Sequence, residues 1–460
     1  MVQILDVVER ALNGVPMSEN DFQLRRFAPK VQEKVREHKI RFDPSTPVPS
    51  DDTLADDMFE AGLELLVDVG AYCIDTGRVI SYSEQEIKEA LRDAPAKVHF
   101  GEGRDRKAFV PRKPEDRATP WCLLGAGGGP CSSDSAFLTL MEGYAEIPEA
   151  NAITTPAITK VGGMRIRPAS PLELLGAARN AVLGREACSR VGREGMPFMN
   201  TLSTAESDIA LAAAMMPRYG LRPSDGFMIA SMDPMKVDFA RLNKVTLALS
   251  FGAPIGMDFA PLMGGYSGGP EGTAVCTVAS HMMGLLTLQT SYLIPFPLHL
   301  RYVSNSSRDL LWVISTMGQA ISRNTHLLSL SLNYTAAGPC TPMVLYENAA
   351  SVTAAVASGL SIECGGTATN KYEDRMTPVE PRVAGEVAHA AAGMKRSEAN
   401  EVVKSLLAKY ETKLAAPPLG KTLHECWDAE RRRPSKEYAR IVKAFKRTAS
   451  DLGLVLRPES

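Results

Sequence analysis

Nothing in the 460-residue chain approaches the roughly 18 consecutive apolar residues that a membrane-spanning helix requires. The N-terminal stretch MVQILDVVERALNG lacks the basic region and apolar core of a signal peptide, so a cytoplasmic location is expected. No Cys-x-x-Cys pair occurs among Cys73, Cys122, Cys131, Cys188, Cys276, Cys340, Cys364 and Cys426, which argues against a disulfide framework or a zinc site. None of the seven histidines has a second histidine or a cysteine at metal-ligand spacing, so no protein-bound metal is expected. Excess charge of one sign is also missing. With 51 basic against 53 acidic residues, no overall field draws nucleic acid or an anionic membrane, and small or neutral partners are favoured. There is no low-complexity tract, and no repeat beyond an alternation of strand and helix patterns.

What is present is enough apolar material, 45% of residues, for a large core. The most informative stretch runs from Ala253 to Gly272, APIGMDFAPLMGGYSGGPEG. An apolar run ends in Asp258 and leads into a loop holding Gly264, Gly265, Gly268, Gly269 and Gly272. Glycines at this density let a backbone turn sharply and approach a ligand. An acid at the end of a buried strand is where an α/β barrel places catalytic groups.

Residues 1–118 read as an added N-terminal region. Apolar spacing predicts a helix over 51–69, and Ser83-Glu84-Gln85-Glu86 has capping-box spacing for another. Residues 72–82 read as a small hairpin, and the charged, proline-bearing stretch 101–119 as a linker or irregular segment. From Trp121 short apolar runs alternate with helical patterns. Strands are expected at 121–124, 150–154, 197–201, 226–231, 253–257, 296–301, 328–332 and 361–364. The helices that follow them are expected at 133–144, 170–188, 203–216, 238–250, 273–288, 307–324, 343–357 and 380–394. Eight such units predict a (β/α)8 barrel over 119–395, a doubly wound sheet being the alternative. Residues 396–460 read as a C-terminal helical extension packed on the barrel, with Tyr438, Ile441, Val442 and Phe445 on one face of the last helix.

Three motifs compete for chemistry. Gly125 to Pro130, GAGGGP, follows a strand but has Pro130 where a dinucleotide loop needs glycine, so it reads as a tight barrel turn. His281, in ASHMMG, resembles part of a cobalt-ligating loop yet lies in a helical pattern and reads as a packed or capping histidine. Tyr334, in the turn that follows the strand in LSLSLNYTAAGPC, shares the barrel's C-terminal mouth with Asp258, where an acid and an aromatic face suit a cationic head group.

Ordered matches then identify a resemblance over most of the chain. FEAGLELLVDVGAYCIDTGRVISYSEQEI (59–87), SPLELLGAA (170–178), GGYSGG (264–269), AGPCTPM (337–343), AGEVAHAAAG (384–393), PLGKTLHECWD (418–428) and DLGLVL (451–456) resemble the monomethylamine:corrinoid methyltransferase family. That resemblance implies a (β/α)8 barrel, a homohexamer, and transfer of a methyl group from methylamine to the cobalt of a separate corrinoid protein. It therefore implies a cognate corrinoid protein as partner, a corrinoid carried by that partner with no cofactor bound by this chain, and one-carbon metabolism of the kind used in methanogenesis. The family's hallmark is pyrrolysine, whose imine captures the amine. The matching segment, GREGMPFM (192–199), places Met199 there. A thioether has no electrophilic carbon for an amine to add to. Of the family's surrounding groups, one glutamate corresponds to Asp258 and the tyrosine to Tyr334, while a second glutamate corresponds to Met228 and a glutamine to Leu332. Met228, Leu332 and the loop residues Gly264, Gly265 and Tyr266 are the expected substrate contacts, with Asp258, Tyr334 and Met199 at the catalytic centre.

These substitutions favour a methyl donor that needs no covalent activation. A quaternary ammonium expels a neutral tertiary amine, and one carboxylate, an aromatic face and thioether walls suit such a cation. Related trimethylamine methyltransferases without pyrrolysine use quaternary amines, an analogy that points the same way. The alternative is a non-catalytic relative that binds an amine or a corrinoid protein as sensor or scaffold.

Overall fold

Eight short parallel strands form the centre of the computed structural model, which describes residues 2–200 and 207–457. They are β1 (Cys122–Gly125), β2 (Ala152–Thr154), β3 (Phe198–Asn200), β4 (Phe227–Ala230), β5 (Ile255–Phe259), β6 (Tyr292–Pro295), β7 (Leu330–Thr335) and β8 (Ser361–Thr367). One ladder runs β3-β2-β1-β8-β7 and another β4-β5-β6. Two seams close them into a barrel. The Gly226 amide donates to the Phe198 carbonyl at 2.8 Å, joining β3 to β4, and the Leu293 amide donates to the Leu328 carbonyl at 2.9 Å, joining β6 to β7. Strands enclosed on both faces have no use for regular polar alternation, which is why β1, β2, β4 and β6 read as short apolar runs.

The barrel helices are α1 (Asp134–Ala145), α2 (Pro171–Arg190), α3 (Asp208–Ala214), α4 (Phe239–Phe251), α5 (Pro270–Thr287), α6 (Arg308–Asn324), α7 (Pro342–Ala357) and α8 (Val379–Ala391). Their starts follow local chemistry. Ser133, Ser207, Asp238 and Thr341 each cap a first turn by accepting a backbone amide, and proline opens α2, α5 and α7, where the missing N–H costs nothing. The first turns of the helix expected at 203–216 fall partly outside the described residues.

Two expectations are corrected. The sixth strand lies at Tyr292–Pro295 rather than 296–301. Pro295 and Pro297 lack amide donors, so the ladder ends there. Beyond them only Leu298–His299 pairs, with Leu262–Met263 on the rim. The stretch 101–119 is more than a linker, because it contains one strand of an antiparallel hairpin, Val98–Phe100 with Lys107–Phe109. That hairpin closes the N-terminal end of the barrel. Phe109 stacks on Trp121 with ring centroids 5.2 Å apart, and Phe100 meets both Trp121 and Tyr292 at 5.6 Å. The charged neighbours of Phe100 and Phe109 conceal these anchors in the sequence.

The remaining extensions clad the helical layer. Helix Asp52–Val69 packs on α5 and α6, and Gly62 permits the approach, since a Cβ there would sit 2.5 Å from Val278 Cγ1. The hairpin Ala71–Cys73 with Arg78–Ile80 forms where expected, and Ser83 and Glu86 make the capping box of helix Glu84–Asp93. Helices Arg396–Tyr410 and Lys436–Asp451 both pack on α7, the latter burying Tyr438, Val442, Phe445 and Ala449. No helix among the described residues is long and apolar enough to cross a membrane.

A buried acid ties the segment after β7 to α7. Glu347 accepts hydrogen bonds from the Ala336 amide (3.2 Å), the Ala337 amide (3.0 Å) and the Ser306 hydroxyl (3.1 Å). Burial nonetheless outweighs these donors and pushes its carboxyl up to about 8.

Two predictions follow from this packing. Trp121→Ala removes the centre of the barrel floor and is expected to cost about 3–5 kcal/mol, read as a lower denaturation midpoint with helix content retained. For Glu347, the unfolded chain loses its proton in the ordinary carboxylate range while the folded chain keeps it up to about 8. Folding stability contributed by this group therefore falls as pH rises through that window, by about 1.4 kcal/mol per pH unit. Glu347→Gln should flatten that part of a melting-temperature profile, and an unchanged slope would refute the assignment.

Candidate active site

The barrel interior is an apolar well built in layers on that floor. Above Phe100, Phe109 and Trp121 lies Tyr292 from β6, fully buried, its hydroxyl donating to the Met199 carbonyl at 3.1 Å. Gly256 on β5 makes this ring position possible. A Cβ there would fall 2.2 Å from Tyr292 Cε2, so any other residue would drive the ring aside.

Met199, Met228, Leu332 and Tyr334 belong to the same interior cluster, together with Leu123, Ala152, Ile294 and Leu330. Met199 is fully buried and Leu332 nearly so, while Met228 and Tyr334 are partly open. Asp258 joins them from β5. It is in register with Ile294 of β6, and registered neighbours in a parallel ladder project to the same face. It is half-buried, and its charge acts on Tyr292 and on Glu363. The structure thus gathers Met199, Met228, Asp258, Leu332 and Tyr334 in one well.

Asn305, which the sequence reading passed over, fixes the β7 side. Its amide donates to the Leu332 carbonyl at 2.6 Å, its side-chain oxygen accepts from the Tyr334 amide at 2.9 Å, and its own backbone N–H donates to the Tyr334 carbonyl at 2.9 Å. The β7–β8 register slips between Asn333 and Tyr334, which re-aims the tyrosine where the ladder is irregular. Its hydroxyl donates to Asn370 Oδ1 at 3.2 Å, and burial raises its pKa.

Glu363 was also missed. It sits on β8 between Leu332 and Leu123, two residues of the interior cluster, and faces the well with them. Its side chain is fully buried, and neither carboxyl oxygen meets a hydrogen-bond donor. Burial pushes this carboxyl well above the usual range, and the charge of Asp258 adds to the shift. The signal was a lone acid within the apolar strand Ser361-Ile362-Glu363-Cys364.

The glycine loop lies on the rim, outside the interior cluster that holds Met199, Met228, Leu332 and Tyr334. Gly264, Gly265 and Tyr266 are exposed in a rim turn closed by the Gly264 amide on the Gly268 carbonyl (2.8 Å) and the Gly265 amide on the Leu262 carbonyl (3.0 Å). Pro261 and the Leu262–Met263 rim pairing lead this turn outward. Gly265 and Tyr266 instead line a separate cavity of about 180 Å³ with Gln23, Phe27, Asp233 and Lys236. Burial pushes the Asp233 carboxyl up to about 7 there.

The other two motifs are structural. His281 is buried on α5, with Nδ1 2.8 Å from the Thr277 carbonyl and Nε2 3.0 Å from the Ser329 hydroxyl, and burial lowers its pKa to about 4. Gly127 and Gly128 take positive φ in the turn after β1, and a Cβ on Gly129 would strike Met376 Cε at 2.3 Å. Among the described residues no group of three or more His, Cys, Asp or Glu is placed to hold a metal ion.

Comparison with known proteins agrees with this architecture. The family model for monomethylamine methyltransferase MtmB matches residues 2–454. Monomethylamine methyltransferase MtmB2 of Methanosarcina barkeri (strain Fusaro / DSM 804) is 32% identical, the match covering 98% of each chain. Monomethylamine methyltransferase MtmB of Methanosarcina mazei is 31% identical at the same coverage. The crystal structure of the Methanosarcina barkeri enzyme shares the fold with a TM-score of 0.95 at 31% identity over 99% of both chains, as does its hydroxylamine complex. An eight-stranded barrel with an acid, a tyrosine and an apolar wall in its interior, matched along its length by these enzymes, makes the chain a methyltransferase of the monomethylamine methyltransferase family.

Proposed function

We propose that this methyltransferase takes its methyl group from a positively charged methylated amine bound in the barrel well and passes it to the cobalt(I) of a corrinoid held by a separate protein. The observation that carries this reading is the meeting of Asp258 with Met199, Met228, Leu332 and Tyr334 on the interior face of one barrel. One acid among apolar and aromatic walls is a binding site for a cation, because the carboxylate offsets charge that the walls cannot solvate.

Each group has a defined task. Asp258 pairs with the cationic nitrogen. The Tyr334 ring, held by Asn305 and Asn370, offers an aromatic face to it. Met199, Met228 and Leu332 keep water from the methyl carbon. The hairpin closes the floor, so donor and corrinoid protein both approach through the C-terminal mouth. In the transfer, the electron pair of the acceptor forms the new bond to carbon while the C–N pair stays on nitrogen, which departs uncharged. Because Met199 offers no carbon for covalent capture, the nitrogen must already bear its positive charge, either as a quaternary ammonium or through protonation.

The test mixes the protein with a cobalt(I) corrinoid protein and a panel of mono- to tetramethylated amines, and follows the absorbance change of methyl transfer. At least one donor should react, and Asp258→Asn should slow it by roughly a hundredfold or more. If no donor reacts while the corrinoid protein still binds, and binds Asp258→Asn equally well, the chain is a scaffold and the reading fails.

A further inference from the structure

Glu363 has no role in the transfer so far, yet it is the costliest side chain in the well. Among the other buried acids, Asp105, Glu149, Glu173 and Glu386 each leave one buried oxygen without a hydrogen bond, but each keeps a donor or an ion-pair partner. Glu347 takes three hydrogen bonds, and Glu380 takes them from the Thr377 amide, the Thr377 hydroxyl and the Tyr438 hydroxyl. Glu363 is as deeply buried, and both of its oxygens lack a donor. A polar group so placed destabilises the fold, and a leucine would pack better against Leu332 and Leu123. Its register places it on the interior face of the barrel, the face that carries Leu332 and Leu123.

We propose that Glu363 is the second substrate-binding acid, accepting hydrogen bonds from the N–H groups of the donor jointly with Asp258, so that the donor is a protonated methylamine rather than a quaternary ammonium. This rests on the reading of the well as the methyl-donor site. A quaternary ammonium has no N–H, so it would leave both Glu363 oxygens as unpaired as they are in the free protein. Monomethylammonium has three N–H groups and a single methyl, which matches two acids set in an apolar wall.

The protons balance. In the free well Glu363 keeps its proton, since burial and the field of Asp258 both oppose its ionisation. When methylamine enters as the free base, the proton passes from the Glu363 oxygen to nitrogen. One ammonium then lies between two carboxylates, and the net charge of the well is unchanged. When it enters as the cation, Glu363 releases its proton to solvent and the same state results. After the methyl group leaves, nitrogen departs as ammonia and Glu363 recovers a proton from water.

Calorimetry on the full-length protein at pH 7, in buffers of different ionisation enthalpy, compares methylammonium with tetramethylammonium. Methylammonium is expected to bind roughly ten- to hundredfold more tightly and to release about one proton per molecule bound. Glu363→Gln should abolish both the preference and the proton release. Glu363→Leu should abolish the preference while raising the melting temperature, which excludes misfolding as the cause. Equal or tighter binding of tetramethylammonium, unchanged methylammonium binding in either variant, or no amine binding at all would overturn the assignment. Methyl transfer in the corrinoid assay separates the two claims. Fastest transfer from a quaternary donor keeps the methyltransferase site and removes this role for Glu363. Absence of transfer from every donor, with Glu363-dependent methylammonium binding intact, does the reverse.

Discussion

A carboxyl group enclosed by apolar side chains must give up its charge or find a cation to balance it, and the interior of this barrel is arranged around that requirement. The helices and terminal extensions hold water away, the floor hairpin seals one end, and the wall of Met199, Met228 and Leu332 offers no hydrogen bonds of its own. In such surroundings an electrostatic contact is worth far more than it would be in solvent. Two acids, Asp258 and Glu363, share that interior.

The interior is shaped by residues that are not themselves part of its apolar cluster. Asn305 reads the backbone on both sides of Asn333 and so sets where Leu332 and Tyr334 present themselves. Gly256 gives up its own side chain so that Tyr292 can lie across the bottom of the well and hold the Met199 carbonyl. Glu347 ties the segment after β7 to α7. These are contacts between backbone and side chain in a packed interior, where a displacement of an ångström is resisted by many neighbours at once.

Much of the architecture was legible because its signals are local. Seven of the eight strands and the barrel helices fall where apolar runs, caps and prolines put them, and Asp258 and Tyr334 stand at strand ends as a barrel demands. The sixth strand was misplaced because the run 296–301, which crosses Pro297, was read in place of the apolar Tyr292–Pro295 just before it. The course of the glycine loop was not legible, because sequence shows that a turn exists but not which way it leaves the rim. Glu363 was invisible for a different reason. Its meaning depends on what surrounds it, and nothing in Ser361-Ile362-Glu363-Cys364 tells an interior-facing acid from one turned to the helices until the register with Leu332 and Leu123 is known. The resemblance led to a second acid at the position of Met228, and there it found a thioether; an acid stands instead on β8, in the same well.

The hairpin of Val98–Phe100 and Lys107–Phe109 gives the barrel a dependence on the chain that precedes it. A (β/α)8 unit usually supplies its own bottom from the ends of its strands, and shortening such a protein to its barrel leaves a usable vessel. Here the stopper is threaded from upstream, so a version beginning at β1 would be a pipe rather than a cup, wetted from below and unable to keep the low polarity on which its acids rely. Division of labour between a self-sufficient core and a dispensable accessory does not describe this molecule: the upstream hairpin helps set the polarity of the barrel interior.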